Sequence, residues 1–403
     1  MSELLFLAHR IPYPPNKGDK IRSWNILKFL AEHYRVHLGC FIDDPEDEQH
    51  RSTLEEICES CQFTRLNPSL AKLRSLSGMI SGSPLTLPYF WDRQLARWTD
   101  ALIRDRKIEH VFVFSSSMAQ YAMGDAASGA RRVVDYVDVD SDKWRQYAAA
   151  KSWPAGWIYG RESRRLLSFE REVAAASDAS LFVSEAEADL FRGLAPESAS
   201  KIGALNNGVD FEFFDPTEPH ERPFDGTDPT LVFTGAMDYW ANVDAVAWFA
   251  NEVFPGIRAK CPTAQFWIVG ARPSTQVTGL TSIPGVHVTG SVPDIRPYMA
   301  HADIIVAPLR LARGIQNKVL EAMAMARPII ASPEALEGIE AEIGRDIISA
   351  DGAQAFVEQT INLLGQTGAN EMGDCARERV VSTYGWSSNL AGLKTLLENK
   401  RVN

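Results

Sequence analysis

Cysteine is scarce: five residues in 403, an odd number, make no disulfide framework and suit a reducing compartment. Cys58-x-x-Cys61 is the one close pair, and no second pair completes a zinc site. Long apolar runs are also missing. The longest uncharged stretch, Ser75 to Trp91, is broken by four serines, two glycines and two prolines and does not read as a membrane span. The apolar start of MSELLFLAHR is too short for a signal peptide. Positive charge in bulk is lacking: 41 Lys and Arg against 52 Asp and Glu leave −11, which argues against a general nucleic-acid binder. No G-x-G-x-x-G follows a strand pattern, and there is no Walker A lysine motif, G-x-S-x-G elbow or H-E-x-x-H. These absences set aside common dinucleotide, NTPase, hydrolase and metalloprotease classes. The expectation is a cytoplasmic protein that touches membrane only peripherally, at the inner face of the cytoplasmic membrane.

A hydrophobic fraction of 45% and a charged fraction of 23% describe an ordinary globular chain, long enough for two α/β domains. The acidic excess is uneven. Residues 1–208 hold 26 Lys/Arg and 28 Asp/Glu, net −2, whereas 209–403 hold 15 and 24, net −9. Apolar runs at Leu4–Ala8, Val36–Ile42, Val111–Phe114, Val133–Val137 and Ala179–Val183 predict buried strands, each followed by helical spacing. The second half repeats the plan: strands at 230–234, 265–269, 286–289, 304–307 and 328–331, with helices over 241–260, 314–326 and 353–364. Strand–helix alternation implies parallel sheets with crossover helices. Asn206 to Pro229, rich in Pro, Gly and Asp, suits a linker. Ligands of such sheets bind at the carboxyl ends of the strands, so the expected site lies between the two halves.

The most informative stretch runs from Ala307 to Ser332. It reads strand, Gly-containing loop, helix, strand, with the helix starting near Gly314–Gln316. The free amides and positive dipole end of a helix start favour an anion. Lys318 adds a mobile cation and Arg313 a fork suited to phosphate. Glu321, one turn further on, is placed to accept from a ribose diol. A surface helix with i, i+3 pairing of Lys318 and Glu321 explains the same residues. Gly18 marks a sharp strand-to-helix turn, where glycine allows positive φ and close backbone approach to a ligand, with Asp19 as N-cap and Lys20 behind it. Ser116 ends a strand, and Asp135, Asp138, Asp140 and Asp142 alternate. Oxygen ligands in that pattern suit a divalent cation; helix capping explains them equally.

The run L-E-A-M-A-x-x-R-P-I-I-A-S (320–332), preceded by G-x-x-N-K (314–318), resembles the donor-site signature of family 4 glycosyltransferases. Other pieces follow in order: Asn207-Gly208-Val209-Asp210, Phe233-Thr234-Gly235, Ile268-Val269-Gly270, Val288 to Asp294, and Tyr384-Gly385-Trp386. The resemblance implies the α/β GT-B fold, two Rossmann-like domains facing across a deep cleft. The implied domains are 1–207 on the acceptor side, with a crossover helix at about 386–403, and 208–385 for the nucleotide-sugar donor. It also implies sugar transfer from a nucleotide-diphosphate donor with retention of configuration, and no metal or other cofactor. Carried over, the implied donor contacts are Gly235, Met237, Asn242, Gly290, Val292, Gly314, Ile315, Gln316, Asn317 and Val319. The expected catalytic set is Arg313, Lys318, Glu321 and Asp138, with Gly18, Asp19, Lys20 and Ser116 expected on the cleft and acceptor side. In two places the chain departs from the family. The first of the family's paired glutamates falls on Arg313, and the basic pair early in the second domain is replaced around Met237 and Asn242.

The segments His9 to Ser23, Asp135 to Trp144 and Thr234 to Asp244 are similar to a bacterial subgroup, the sugar transferases associated with exosortase (PEP-CTERM) exopolysaccharide systems. A saccharide or lipid-linked acceptor is thereby implied. Residues 143–171 hold seven Lys/Arg against Glu162 and Glu170, interleaved with Trp144, Tyr147, Trp153, Trp157 and Tyr159. That mixture suits an anionic membrane surface, or else aromatics in a core beneath a solvated basic face. Two other functions fit the motifs: a nucleotide-sugar epimerase of the same fold, and a catalytically weakened nucleotide-sugar-binding protein.

Overall fold

The computed structural model describes residues 1–312, 314–365 and 369–398. The chain forms two compact units, Met1–Asn206 with Asn389–Asn403, and Asn207–Ser388.

The first unit is built on a seven-stranded sheet: β1 (Glu3–Ala8), β2 (Arg35–Ile42), β3 (Ser60–Arg65), β4 (His110–Phe114), β5 (Arg131–Val137), β6 (Ala179–Phe182) and β7 (Ile202–Ala204). All neighbours pair in parallel, in the order β3-β2-β1-β4-β5-β6-β7. Leu4 to Ala8 are fully buried, as expected where helices cover both faces of a parallel sheet. The helix Gly18–His33 follows β1. The Trp386–Glu398 helix packs on this unit from Asn389 onward. It buries Leu390, Leu393 and Leu397, while the Arg131 guanidinium donates to the Leu396 carbonyl and the Tyr34 hydroxyl to Glu398.

The second unit holds β8 (Thr230–Thr234), β9 (Gln265–Val269), β10 (Val286–Gly290), β11 (Ile304–Ala307), β12 (Ile329–Ala331) and β13 (Ile348–Ser349). They are all parallel, in the order β10-β9-β8-β11-β12-β13. In each sheet the strand order reverses beside the first strand, at β1/β4 and at β8/β11. Ligands of open α/β sheets sit outside the carboxyl ends at such switch points.

Three strands escape the apolar pattern: β3, β7 and β13. All are edge strands, and edges are short and carry polar residues such as Ser60, Gln62 and Ser349. The single helix expected over 241–260 is instead Trp240–Trp248, a wide π-turn at Phe249–Val253, and Phe254–Lys260. Pro255 lacks an amide and its ring crowds the carbonyl four residues back, which loosens the turn ahead of it. The segment expected as a linker is anchored, since Val209, Phe214 and Phe224 are buried in the core of the second unit.

A buried ion pair braces the first unit. Arg22, in the Gly18–His33 helix, donates from Nε and Nη2 to the Asp135 carboxylate at 2.7 and 3.1 Å, and both residues are almost fully buried. Asp135 also accepts from the Val137 amide at 3.1 Å. Removing one charge of such a pair strands the other in low dielectric, at about 3–5 kcal/mol. Asp135→Asn should therefore lower unfolding stability by about 3 kcal/mol or more in urea melts, and Asp135→Leu with Arg22→Met should recover much of it. A single variant as stable as the parent would refute the bracing role.

Candidate functional site

In the second unit the chain leaves β8 through Gly235, whose φ is +156°. A Cβ there would lie 2.7 Å from Asn242 Nδ2 and 3.5 Å from Lys318 Nζ. Gly270, closing β9 with φ of +150°, is tighter still: its Cβ would sit 1.8 Å from the Gly235 carbonyl oxygen. Two strand ends thus approach with no side chain between them. The 235–242 loop is held down by Gly235 N–H to the Val269 carbonyl and Met237 N–H to the Ala271 carbonyl.

Asn242, buried in the first turn of its helix, donates to the Ala236 carbonyl at 2.9 Å and accepts from Lys318 Nζ at 2.5 Å. Lys318 stands in the first turn of the Asn317–Ala324 helix, which follows β11. Its ammonium lies 4.5 Å from the Phe233 ring centroid, a favourable cation–π position. The side chain is half-buried. Burial pulls its pKa down to about 7, against the opposing pull of Glu321. Burial likewise pushes Glu321 up to about 7, against the pull of Lys318. The two groups feel each other across one helical turn but do not close an ion pair, contrary to the surface-pair reading of their spacing.

The other predicted donor residues divide. Gly314 adopts φ of +64°, and its carbonyl accepts from Gln316 Nε2. Gln316 caps the helix by position, its side chain not bonded to the first-turn amides, and the helix runs from Asn317, one residue beyond the expected start. Asn317 accepts from Asn207 Nδ2 at 3.2 Å. Gly290 closes β10 with φ of +71° and an open position for a Cβ, with half-buried Val292 beyond it. Both lie at the sheet edge, one strand removed from β8. Met237 and Val319 are buried in the apolar core, as is Ile315 for the most part. Their side chains hold the loop and helix in place and do not present to a ligand. Arg313 lies outside the described residues.

Three residues here were not singled out by sequence as site residues. Phe233 and Asn207 belong to quoted motif pieces, but their roles depend on contacts across the fold. Thr234 Oγ1, at the end of β8, is buried with no hydrogen-bond partner among the described residues. Such an orphan beside Gly235 is a polar atom waiting for a ligand or water.

The first unit carries its own polar cluster at the carboxyl ends of β1, β4 and β5. Two residues there are backbone outliers, Ser115 with φ of +76° and Val137 with +69°. For a β-branched residue this conformation is costly and needs surrounding support. Asp135 gives Val137 that support. The turn behind it hangs on two buried glutamates: Glu187 accepts from the Val139 amide at 2.8 Å and Glu170 from the Ser141 amide at 3.3 Å. Burial pushes Glu170 up to about 8. Asp138 accepts from Lys143 Nζ at 2.7 Å, and Asp140 shares that ammonium at 3.3 Å. Lys143 thus supplies the positive charge among the alternating acids.

Several predictions for this unit need correction. Gly18 does not adopt positive φ, because it already starts the helix. Asp19 is not the N-cap; Lys17 occupies that position without a side-chain bond. The Asp19 carboxylate instead accepts from Arg10 at 2.9 Å and lies 3.4 Å from His9 Nε2. Burial would raise its pKa, but His9 and Arg10 together hold it well below the usual carboxylate range. Lys20 is buried and bound to Asp47 at 2.6 Å, so its charge is already spent inside the unit. Ser116 is buried in a 3-10 turn and offers no surface to a ligand. His9, which sequence left unassigned, stacks on Phe114 with its Nδ1 unpartnered.

Comparison with known proteins gives the fold its name. Residues 228–366 match the family described as glycosyl transferases group 1. Nothing among the curated proteins matches. Among solved structures, HepE of Anabaena, determined in complex with UDP, superposes with a TM-score of 0.67 at 15% identity, over 98% of this chain and 99% of that one. Sucrose-phosphate synthase of Thermosynechococcus elongatus gives 0.67 at 16% identity, over 98% of each chain. A glycosyltransferase of Rickettsia africae gives 0.66 at 13%, over 99% and 100%. The fold is α/β GT-B.

The coupling of Lys318 and Glu321 can be tested directly. Glu321→Gln removes a charge that raises Lys318, so the lysine should titrate below about 7. Lys318→Met should move Glu321 above about 7. Site-resolved NMR titration of both variants reads these shifts, and pKa values that stay put would separate the two groups.

Proposed function

We propose that this chain is a glycosyltransferase that moves a sugar from a nucleotide-diphosphate donor to a saccharide or lipid-linked acceptor. The observation carrying this reading is the half-buried Lys318 ammonium, held by Asn242 at the head of a helix beyond the switch point of the second sheet. It lies in the segment that matches glycosyl transferases group 1. The Anabaena relative of the same fold was also solved with UDP-glucose.

When the bond between the anomeric carbon and the diphosphate breaks, its electron pair leaves on a phosphate oxygen. Lys318 and the first-turn amides of its helix are aimed at that developing charge, and such preorganised stabilisation is often the largest catalytic term. Glu321 accepts from the ribose. The Gly235 loop lets the donor approach the backbone closely, as only a position without a side chain can. Asp138 is the acceptor-side candidate. The ordered motifs support the finer reading as well: a bacterial family 4 enzyme of exopolysaccharide assembly, metal-independent and retaining, of the exosortase-associated type.

Incubation with UDP-, GDP- and dTDP-sugars tests this. Nucleotide release that depends on acceptor supports transfer. Isomerisation of the donor without acceptor would replace the reading with an epimerase, and tight binding without turnover with a binding protein. Lys318→Ala should lower turnover about 10²–10³-fold with an unchanged circular dichroism melt; undiminished turnover would remove the phosphate assignment.

Binding should also depend on pH. As pH rises through about 7, Lys318 loses its positive charge and Glu321 gains a negative one. Both changes oppose an anionic diphosphate, so nucleoside-diphosphate affinity should fall from about pH 6 to about pH 8. Because the bound anion favours protonated Lys318, binding should take up protons, seen in calorimetry as a heat that varies with the buffer. A flat profile would contradict the assigned role.

A further inference from the structure

We propose that the first unit docks on an anionic lipid bilayer through one face assembled from two segments far apart in sequence. The proposal concerns the surface alone and stands whether or not the transferase reading does.

The first segment is the pair of short helices Pro68–Ser75 and Ser77–Ser81. Leu70, Leu73 and Leu76 are exposed, and Ile80 is 93% exposed. The second is the entry to the Ala155–Ala176 helix, where Trp153 is 82% exposed and Trp157 is more than half exposed. Single apolar residues on a surface are ordinary; what matters is whether these form one patch. Hydrogen bonds join the segments. Arg161 Nη2 donates to the carbonyls of Gly78 at 2.7 Å and Ser83 at 3.2 Å, bracketing Ile80. Glu162 accepts from the amides of Leu85 and Thr86 and from the Thr86 hydroxyl. Arg161 lies one helical turn beyond Trp157, so the Ile80 turn and the tryptophan corner sit side by side.

Charge selects the partner. Residues 66–91 contain Lys72 and Arg74 and no acid, and residues 143–165 contain six Lys/Arg against Glu162 alone. That glutamate is buried and occupied, whereas Lys72, Lys151, Arg164 and Arg165 are exposed. In a chain of net −11 this is a local reversal of sign beside an apolar tip. A nucleic acid would meet the cations but leave Ile80 and Leu73 in water. An anionic bilayer accommodates all three kinds of residue: Ile and Leu among the upper acyl chains, Trp at the headgroup level, and Lys and Arg against the lipid phosphates. Among the described residues no helix is long and apolar enough to cross a membrane, so the contact is one of surface docking.

Flotation of the full chain with two kinds of vesicle tests the proposal: phosphatidylcholine alone, and phosphatidylcholine with roughly a third phosphatidylglycerol. The protein should float with the anionic vesicles only, be released by high salt, and shift its tryptophan emission to the blue when bound. Ile80→Glu with Trp153→Glu, and separately Arg164→Glu with Arg165→Glu, should each weaken partition about tenfold or more. All four positions are exposed, and an unchanged thermal melt confirms an intact fold. Failure of the parent protein to float would overturn the proposal, as would salt-insensitive binding to neutral vesicles or a first variant that binds like the parent. A concentration-dependent dimer that the first variant dissolves, without vesicle binding, would overturn it in favour of a second copy of the chain.

Discussion

A half-buried lysine ammonium with no carboxylate at contact distance among the described residues is the constraint around which the second unit is arranged. Desolvating a cation is expensive unless other groups replace its water. Here the replacements come from three elements: the Asn242 amide oxygen, the face of Phe233 and the more distant Glu321 carboxylate. None of them is a full counter-ion at contact distance. The lysine is therefore supported well enough to stay in place but not neutralised. A tight Lys318–Glu321 pair would have stabilised the free protein more and left less for an anion to gain. The depressed lysine and raised glutamate are two views of that one choice.

The arrangement depends on backbone as much as on side chains. Gly235 and Gly270 meet so closely that a methyl group on either would displace the other strand end or Asn242. Their closeness sets the height of the 235–242 loop, and the loop carries the amide that holds Lys318. The first unit solves a similar problem differently. Instead of glycine it tolerates positive φ at Ser115 and Val137 and pays with a buried network of Arg22, Asp135, Glu170 and Glu187. Strain of this kind at the carboxyl ends of parallel strands marks a place where position matters more than comfort.

Much of the architecture was legible because buried parallel strands are continuous apolar runs. β8, β9 and β11 fall where the pattern puts them. What escaped was governed by other rules. β3, β7 and β13 are edge strands whose outer side needs no apolar face, and the break at Phe249–Val253 follows from Pro255. The same division holds at the site. Gly235, Asn242, Lys318 and Glu321 come together as motif order suggests, because each follows a strand end at the switch point. Met237, Val319, Lys20 and Ser116 sit in equally suggestive places in sequence but face inward. Motif position locates a residue along the chain; which way it faces is decided by the helix or turn that begins beside it. Phe233 shows the converse, an ordinary core aromatic in sequence whose ring becomes part of the cation's environment only through the fold.

Net charge is a poor guide to either surface in this protein. The half beyond residue 208 carries −9, yet the proposed diphosphate site is built on its Lys318 cation. The two facts do not conflict, because exposed charges beyond about 8 Å are largely screened at physiological salt. Buried or dipolar groups near the ligand are not. In the proposed role, an acidic exterior around the Lys318 cation repels loosely held anions, while a diphosphate that reaches Lys318 and the helix amides gains the full interaction. The first half inverts the scheme. Its total is nearly neutral, but its cations gather beside Ile80 and Trp153, where a broad, diffuse attraction is wanted and no single contact needs to be precise. On the two proposals together, one chain uses charge in two ways, as a preorganised group in the second unit and as an extended field in the first.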